Sequence, residues 1–427
     1  MSTIHRIILV GNGFDLAHGL ATRYENFIDW YWKQWDIRLS SSGNKRETDG
    51  LCSFILKDSV DLAGWRWVRD YHYGLSQKDI EHRKYGIVDI ACSDPSLCDF
   101  QQHSVFFQKI CQSVESKGWV DIENEYYQAL NHEYFECPEK LNKEFEIVKS
   151  KLVEYLTLVQ SSNIGESIVK PALREKILAP IRIDEIAIGA RSQLVDFIRS
   201  RYFGETNGSY ISIGEQLGWD KRAENIEAMN RFSRKWGDKI EEFGIESAID
   251  SQDIPETLLS PIRLMLLNFN YTRTADLYLP QDKKLAYWFP IDHIHGQLND
   301  PQSIIFGYGD ELDDNYRNIV KLNNNEHLRN IKSIRYLETQ NYRNMLAFIE
   351  SAPYQVYIMG HSCGNSDRTL LNTLFEHKNC ISIKPFYHRQ EDGSDNYLEI
   401  VQNISRNFTD MKLMRDRVVN KTLCETL

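Results

Sequence analysis

The chain contains no Lys/Arg-rich run and carries a net charge of -11. A protein that grips a phosphate backbone needs a basic footprint, so nucleic acid is not expected as a partner. No apolar run approaches the roughly eighteen residues of a membrane span, so no membrane association is expected. The amino terminus, MSTIHRIILVGNGFD, has too short an apolar part for a signal peptide and no small-residue cleavage site. The eight cysteines include no C-x-x-C pair and follow no regular framework. A zinc ribbon is therefore not supported, no metal is expected, and cysteines so scattered in a long cytoplasmic chain are reduced and structural. The expectation is a soluble, cytoplasmic protein.

What is present is enough for a large core: 427 residues, 42% hydrophobic and 26% charged, which fits two domains or one domain with a large insertion. The chain is organised around IILVGNGFDLAHGLATRY, Ile7 to Tyr24. An uninterrupted apolar run reads as a buried parallel strand. Glycines placed after it let backbone N–H groups approach a phosphate at a helix N-terminus. The usual dinucleotide fingerprint, G-x-G-x-x-G, fails on spacing, because Gly11 and Gly13 are followed only by Gly19. Without a ligand the same residues make a tight strand-to-helix turn.

Beyond the turn, Tyr24, Phe27, Ile28, Tyr31 and Trp35 recur at helical spacing and predict an amphipathic helix over Arg23 to Trp35 whose aromatic stripe belongs to a core. The composition of SSSGNKRETDG at 40 to 50 reads as an exposed loop. From 51 to 255 the patterns are mainly helical, with helices around Val105 to Ser116, Val120 to Asn131, Leu141 to Leu158, Asp184 to Phe203 and Ala223 to Phe243. In the second of these, Trp119, Ile122, Tyr126 and Leu130 share a face, Asp121 and Glu125 another, and Glu123 borders the apolar side where it could reach a cleft. From Arg263 short apolar strands alternate with helices, as in a parallel sheet. Strands fit at Arg263 to Phe269, Asp292 to His295, Ser303 to Phe306, Tyr354 to Met359, Cys380 to Phe386 and Leu398 to Val401. Helices fit at Asn341 to Ser351, Asp367 to Glu376 and Ser405 to Asp416, and Asp310 to Asn325 reads as a mobile loop or lid. The division that follows is 1–36 for the first strand, glycine turn and helix of an α/β domain, 37–255 for a mainly helical insertion, and 256–427 for the rest of the α/β domain. The fold class is α/β, a Rossmann-like, mainly parallel sheet.

Four of these strands end in polar residues: Asn268, Asn270, Tyr271 and Thr272; His293, His295 and Gly296; Gly307, Gly309 and Asp310; and Gly360, His361, Ser362, Gly364, Ser366 and Asp367. Each has an ordinary explanation, since Asn and Gly are turn residues and Asp367 fits a helix N-cap. Their recurrence at successive strand ends points to one shared polar cleft, because ligands of open parallel sheets sit at the carboxyl ends of the strands.

The motifs GNGFDLAHGLATRY, WVDIE, NFNYT, HIHG, IIFG and GHSCGNSD, in this order over nearly the whole chain, resemble the bacteriophage abortive infection AbiH family. That resemblance implies a role in bacterial defence against phage. More distantly, the glycine turn, Asn270-Tyr271-Thr272, His295-Gly296 and Gly360-His361-Ser362 resemble the strand ends of sirtuin-like NAD-binding domains. By this second resemblance Gly11, Gly13 and Ser362 hold the phosphates and riboses of NAD, Asn270 orients the reacting ribose and water, and His295 is the general base. The wider cofactor-facing set is Asn12, Phe14, Asp15, Thr22, Tyr271, Gly307, Gly360, His361 and Asp367. Thr272 stands where those domains have aspartate, Ala21 where they have proline, and there is no zinc-binding cysteine quartet. Peptide deacylation is disfavoured, and Glu123, Asp121 or Asp15 is left to replace the missing carboxylate. Cleavage of an N-glycosidic bond fits these groups, since it needs a positioned water and a base that titrates near neutrality.

Other readings remain at this level. Gly360-His361-Ser362-Cys363-Gly364 matches the G-x-S-x-G nucleophile elbow of esterases. Asp292, His293 and His295 could contribute to a metal site. A non-catalytic cleft would sense NAD or an ADP-ribose-like nucleotide and signal, and a phage-derived trigger and a homo-oligomer are compatible with any of these.

Overall fold

The computed structural model describes residues 2–41, 46–57, 98–117, 121–131, 137–206, 222–241, 243–280, 285 and 287–427. Its centre is a five-stranded parallel sheet in the order β6-β5-β1-β7-β8, made by β1 (His5–Val10), β5 (Leu264–Asn268), β6 (Ile291–His293), β7 (Tyr354–Met359) and β8 (Cys380–Phe386). Every residue of β1 and β7 is buried, and apart from His5, Arg6 and Gln355 all are apolar, which is why both are legible as buried strands. Ile7 and Leu9 pack with α12 (Asn341–Ser351) and α13 (Arg368–Glu376) on one face. Ile8 and Val10 pack on the other with Leu173 and Ile177 of α6 (Pro171–Leu178) and with Ala275, Tyr278 and Phe289. The α/β class and the mainly parallel sheet expected from the sequence are thus found.

Among the described residues, no strand between β1 and β5 joins this sheet. That stretch is mainly helical, with α1 (Asn12–Ala17), α2 (Tyr24–Ser41), α3 (Val105–Lys117), α4 (Ile122–Leu130), α5 (Pro138–Asn163), α7 (Arg191–Thr206), α8 (Arg222–Trp236) and α9 (Gly244–Asp250). It also holds a small antiparallel sheet, β2 (Arg46–Thr48), β3 (Cys52–Leu56) and β4 (Cys98–Gln102), that the sequence reading missed. Arg46, Glu47 and Thr48, expected in a loop, form an edge strand, while residues 42–45 lie outside the described residues. Ile122, Tyr126 and Leu130 face the core as expected, with Phe145 and Phe306 among their neighbours in the same cluster; Trp119 and Val120 lie outside the described residues.

Four further expectations are corrected. Ser303 to Phe306 is not a strand; it passes from a 3-10 turn into irregular chain, and Phe306 stacks on Phe145 at 4.7 Å. Leu398 to Val401 belongs to a helix, α14 (Tyr397–Arg406), whose Ile400 and Ile404 are buried at i, i+4 spacing. The helix placed at Ser405 to Asp416 is instead α15 (Met411–Arg417), started by Asp410, whose carboxylate accepts from the N–H groups of Lys412 and Leu413. The segment read as a lid contains α10 (Asp314–Lys321), and Asp310 is buried and paired with Arg368 at 3.1 Å. No helix among the described residues is long and apolar enough to cross a membrane.

Candidate functional site at the carboxyl edge of the sheet

The chain leaves β1 to one side for β5 and β6 and to the other for β7 and β8, so the sheet reverses direction between β1 and β7. In open α/β sheets this switch point is where a crevice forms. Here the two strand ends are in direct contact. The Gly11 N–H donates to Met359 O and the Gly13 N–H to Gly360 O. A Cβ on Gly11 would lie 2.4 Å from His361 Cα, and Gly360, at φ +78°, would place one 2.1 Å from Phe14 N. The glycines let two backbones meet, and their N–H groups are already bonded. The Gly11 and Gly13 amides, expected from the sequence to contact phosphate, are in this structure bonded to the turn after β7, and the same residues are needed for turn-on-turn packing. Phe14 is turned into the core against His18 and Tyr278, and Thr22 donates to Asn12 Oδ1 rather than facing the switch point alone.

The end of β5 is a network of amides. Asn268 Oδ1 accepts from the Asn270 N–H, and its Nδ2 donates to Thr272 O. Asn270 Nδ2 donates to Gly11 O at 2.9 Å, tying this turn to the glycine turn. Thr272 donates to the buried Asp15 carboxylate at 2.6 Å. Burial pushes Asp15 up to about 6, against the hydrogen bonds from Thr272, Thr274 and Asn270, and its Oδ1 has no partner. Thr272 thus meets a carboxylate supplied from the glycine turn.

The end of β6 and the turn after β7 carry the charged cluster. His295 Nε2 lies 3.1 Å from Asp367 Oδ1 and 3.2 Å from the Tyr336 hydroxyl. His361 Nδ1 accepts from the Cys363 N–H, so its Nε2 faces Asp367 Oδ2 at 3.5 Å. Lys332, fully buried in α11 (Lys332–Arg335), reaches Asp367 Oδ1 at 2.9 Å and Glu123 Oε2 at 2.7 Å. Glu123, on α4 of the mainly helical stretch, also accepts from the Gly307 N–H at 3.2 Å. Gly307 therefore binds a protein carboxylate where the sequence suggested a cofactor contact.

Electrostatics separates the roles of these groups. Burial works against ionisation of Asp367, but the Lys332 ammonium and then His295 hold its carboxyl well below the usual range. Glu123 is pushed up, to about 7, by burial above all and then by the Asp367 and Asp121 carboxylates, with Lys332 opposing. Burial and the nearby Lys332 lower His295 to about 4, so its imidazole is neutral at pH 7. An ionised Asp367 only accepts, so His295 donates from Nε2 and keeps Nδ1 as an acceptor, which no described residue hydrogen-bonds.

The structure thus brings together Glu123, His295, His361 and Asp367, with Tyr271 beside them, its ring centroid 6.5 Å from that of His295, while Asn270 is tied to the glycine turn through Gly11 O. It does not unite His293 with His295: His293 bonds Asn268 and faces Asp276 at 3.3 Å. Among the described residues no three His, Cys, Asp or Glu side chains are grouped to hold a metal ion. Ser362 is exposed, and no histidine or carboxylate among the described residues bonds its hydroxyl. The non-glycine residue of its turn with left-handed backbone is Cys363, at φ 56°, and not Ser362 as a nucleophile elbow requires. Cys363 itself is buried, which pushes its thiol up and leaves it inert. Sequence reasoning missed Lys332 and Tyr336. A single lysine in the polar stretch NIKSIRY carries no periodic or motif signal.

A family model described as Bacteriophage abortive infection AbiH matches residues 7–388, a span that contains every residue of this cluster. Neither any curated protein nor any solved structure matches the chain.

Proposed function

The chain belongs to the bacteriophage abortive infection AbiH family, and from that premise we propose that it acts in phage defence by hydrolysing NAD to nicotinamide and ADP-ribose in a sirtuin-like cleft. What supports this reading is the convergence of Asn270, His295 and Asp367 at the carboxyl ends of β5, β6 and β7, the edge where parallel sheets hold nucleotides. In this mechanism Asn270 and His295 Nδ1 orient a water below the ribose C1′ carbon. The bond from C1′ to the pyridinium nitrogen breaks with its electron pair leaving on nicotinamide, so the departing base needs no proton. The water oxygen bonds C1′, and its proton passes to His295, whose imidazolium Asp367 stabilises. Asn12 and Ser362, both exposed beside the switch point, are the polar side chains that meet phosphates and riboses.

The test separates binding from turnover. His295→Ala is expected to lower nicotinamide release about 100-fold or more, the usual worth of a positioned base, while NAD still raises the melting temperature. Release at the wild-type rate would overturn the assignment of His295. Loss of both release and stabilisation would overturn the claim that binding survives its removal. Nothing favours the esterase alternative, given the exposed and unassisted Ser362 hydroxyl.

A further inference from the structure

The cluster holds two buried carboxylates, Glu123 and Asp367, and one buried ammonium, Lys332, which touches both. His295 and His361 are the other titratable groups on Asp367. Asp121, at the start of α4, and the phenols of Tyr24, Tyr271 and Tyr336 face Glu123 from α2, the turn after β5 and the turn after α11. None of these adds a second cation when His295 is neutral. Burying an unbalanced charge is strongly unfavourable, so the two carboxylates retain one proton between them.

Geometry decides where that proton resides. Asp367 faces three donors, Lys332 Nζ and the Nε2 atoms of His295 and His361, and an ionised carboxylate satisfies all three. Glu123 faces one ammonium and one backbone N–H, so it bears the proton at less cost. Lys332 is itself held in place, its N–H bonded to Tyr308 O at 2.9 Å, and Gly309 leaves no room beside its Cβ. We propose that Lys332 is a positioning residue: by bridging Glu123 and Asp367 it assigns the shared proton to Glu123, keeps Asp367 ionised, and thereby locks His295 in the Nε2–H tautomer with Nδ1 free to accept from water. This deepens the glycohydrolase reading and rests on it for its catalytic meaning, but the tautomer is measurable without any substrate.

The experiment uses the full chain labelled with 15N-histidine, with the His295 signal assigned by its loss in His295→Ala. The wild type is expected to show a neutral Nε2–H imidazole at pH 7. Lys332→Met removes the bridge, so the two carboxylates share the proton and the His295 signal moves toward a mixture of tautomers. Lys332→Arg, which keeps the charge, is expected to keep the wild-type signal. A wild-type Nδ1–H tautomer, or an unchanged tautomer in Lys332→Met, would overturn the proposal. Should Lys332→Met not fold, Glu123→Gln provides an independent reading. A carboxyl raised in the folded state costs stability as pH rises from its unfolded value, about 4.5, through its folded one, about 7. The melting temperature of Glu123→Gln relative to wild type is therefore expected to climb across that window. Parallel curves would place the proton elsewhere and refute the assignment. If the wild type shows the expected tautomer yet releases no nicotinamide from NAD, the reaction reading fails and the protonation reading stands.

Discussion

Gly360→Ala is expected to lose roughly 2–5 kcal/mol of folding stability. The residue sits at φ +78°, where a side chain costs roughly 1–2 kcal/mol. The larger part is steric. The new Cβ would stand 2.1 Å from Phe14 N and 2.5 Å from Gly13 C, both main-chain atoms that cannot rotate aside. To relieve that contact the turn after β7 must move off the turn after β1, which breaks the bond from the Gly13 N–H to Gly360 O. Overpacking of this kind costs about 1–3 kcal/mol more, against a total stability of only about 5–15 kcal/mol. Chemical denaturation of the purified variant measures the loss. Gly393→Ala is the control: φ there is +85°, but nothing lies within 4 Å of the added carbon, so it shows the backbone part alone. Equal losses in the two variants would mean that the turns do not press on each other.

Asp367→Ala is the second large effect. Removing this carboxylate leaves buried Lys332 with Glu123 alone and takes the acceptor from His295 and His361 together. Breaking a buried ion pair from one side costs roughly 3–5 kcal/mol. In a chain of 427 residues that lowers the melting temperature by on the order of 3–6 °C. The sign with pH is fixed by the low folded pKa of Asp367. Its contribution is fully present above the ordinary aspartate value and is lost as pH falls toward its folded value. The gap between wild type and variant is therefore expected to be widest near neutrality and to close in acid. A gap independent of pH would show that Asp367 acts through packing and not through charge.

Much of the sheet was legible because its physics is local. A strand covered on both faces must be apolar at every position, and HRIILV, LMLLN and YQVYIM satisfy that closely enough to be read directly. Legibility failed where a short apolar run has two explanations. LEIV at 398 to 401 alternates like a strand, yet its partner Ile404 lies one helical turn on, and helix α14 buries the pair. The small antiparallel sheet escaped for the opposite reason, since Arg46, Glu47 and Thr48 form an edge strand with half-exposed side chains and no apolar pattern.

The candidate site divides along the same line. Asn270, His295, His361 and Asp367 could be found because each ends a readable strand. Glu123 could be suspected because WVDIENEYYQAL places it at the border of an apolar face. Lys332 could not, since what distinguishes it is the company of two carboxylates contributed by distant parts of the chain. The glycine turn shows why sequence alone could not foresee its packing. A phosphate and a second backbone make the same demand on residues 11 and 13, namely no side chain, and the contact with Met359 and Gly360 comes from a distant part of the chain.

The central claim is tested most directly by incubating the purified chain with NAD and following nicotinamide and ADP-ribose by chromatography. The account predicts that both products appear in equal amounts, with release rising as His295 loses its proton above about pH 4. No release, with no change in melting temperature on adding NAD or ADP-ribose, would contradict it.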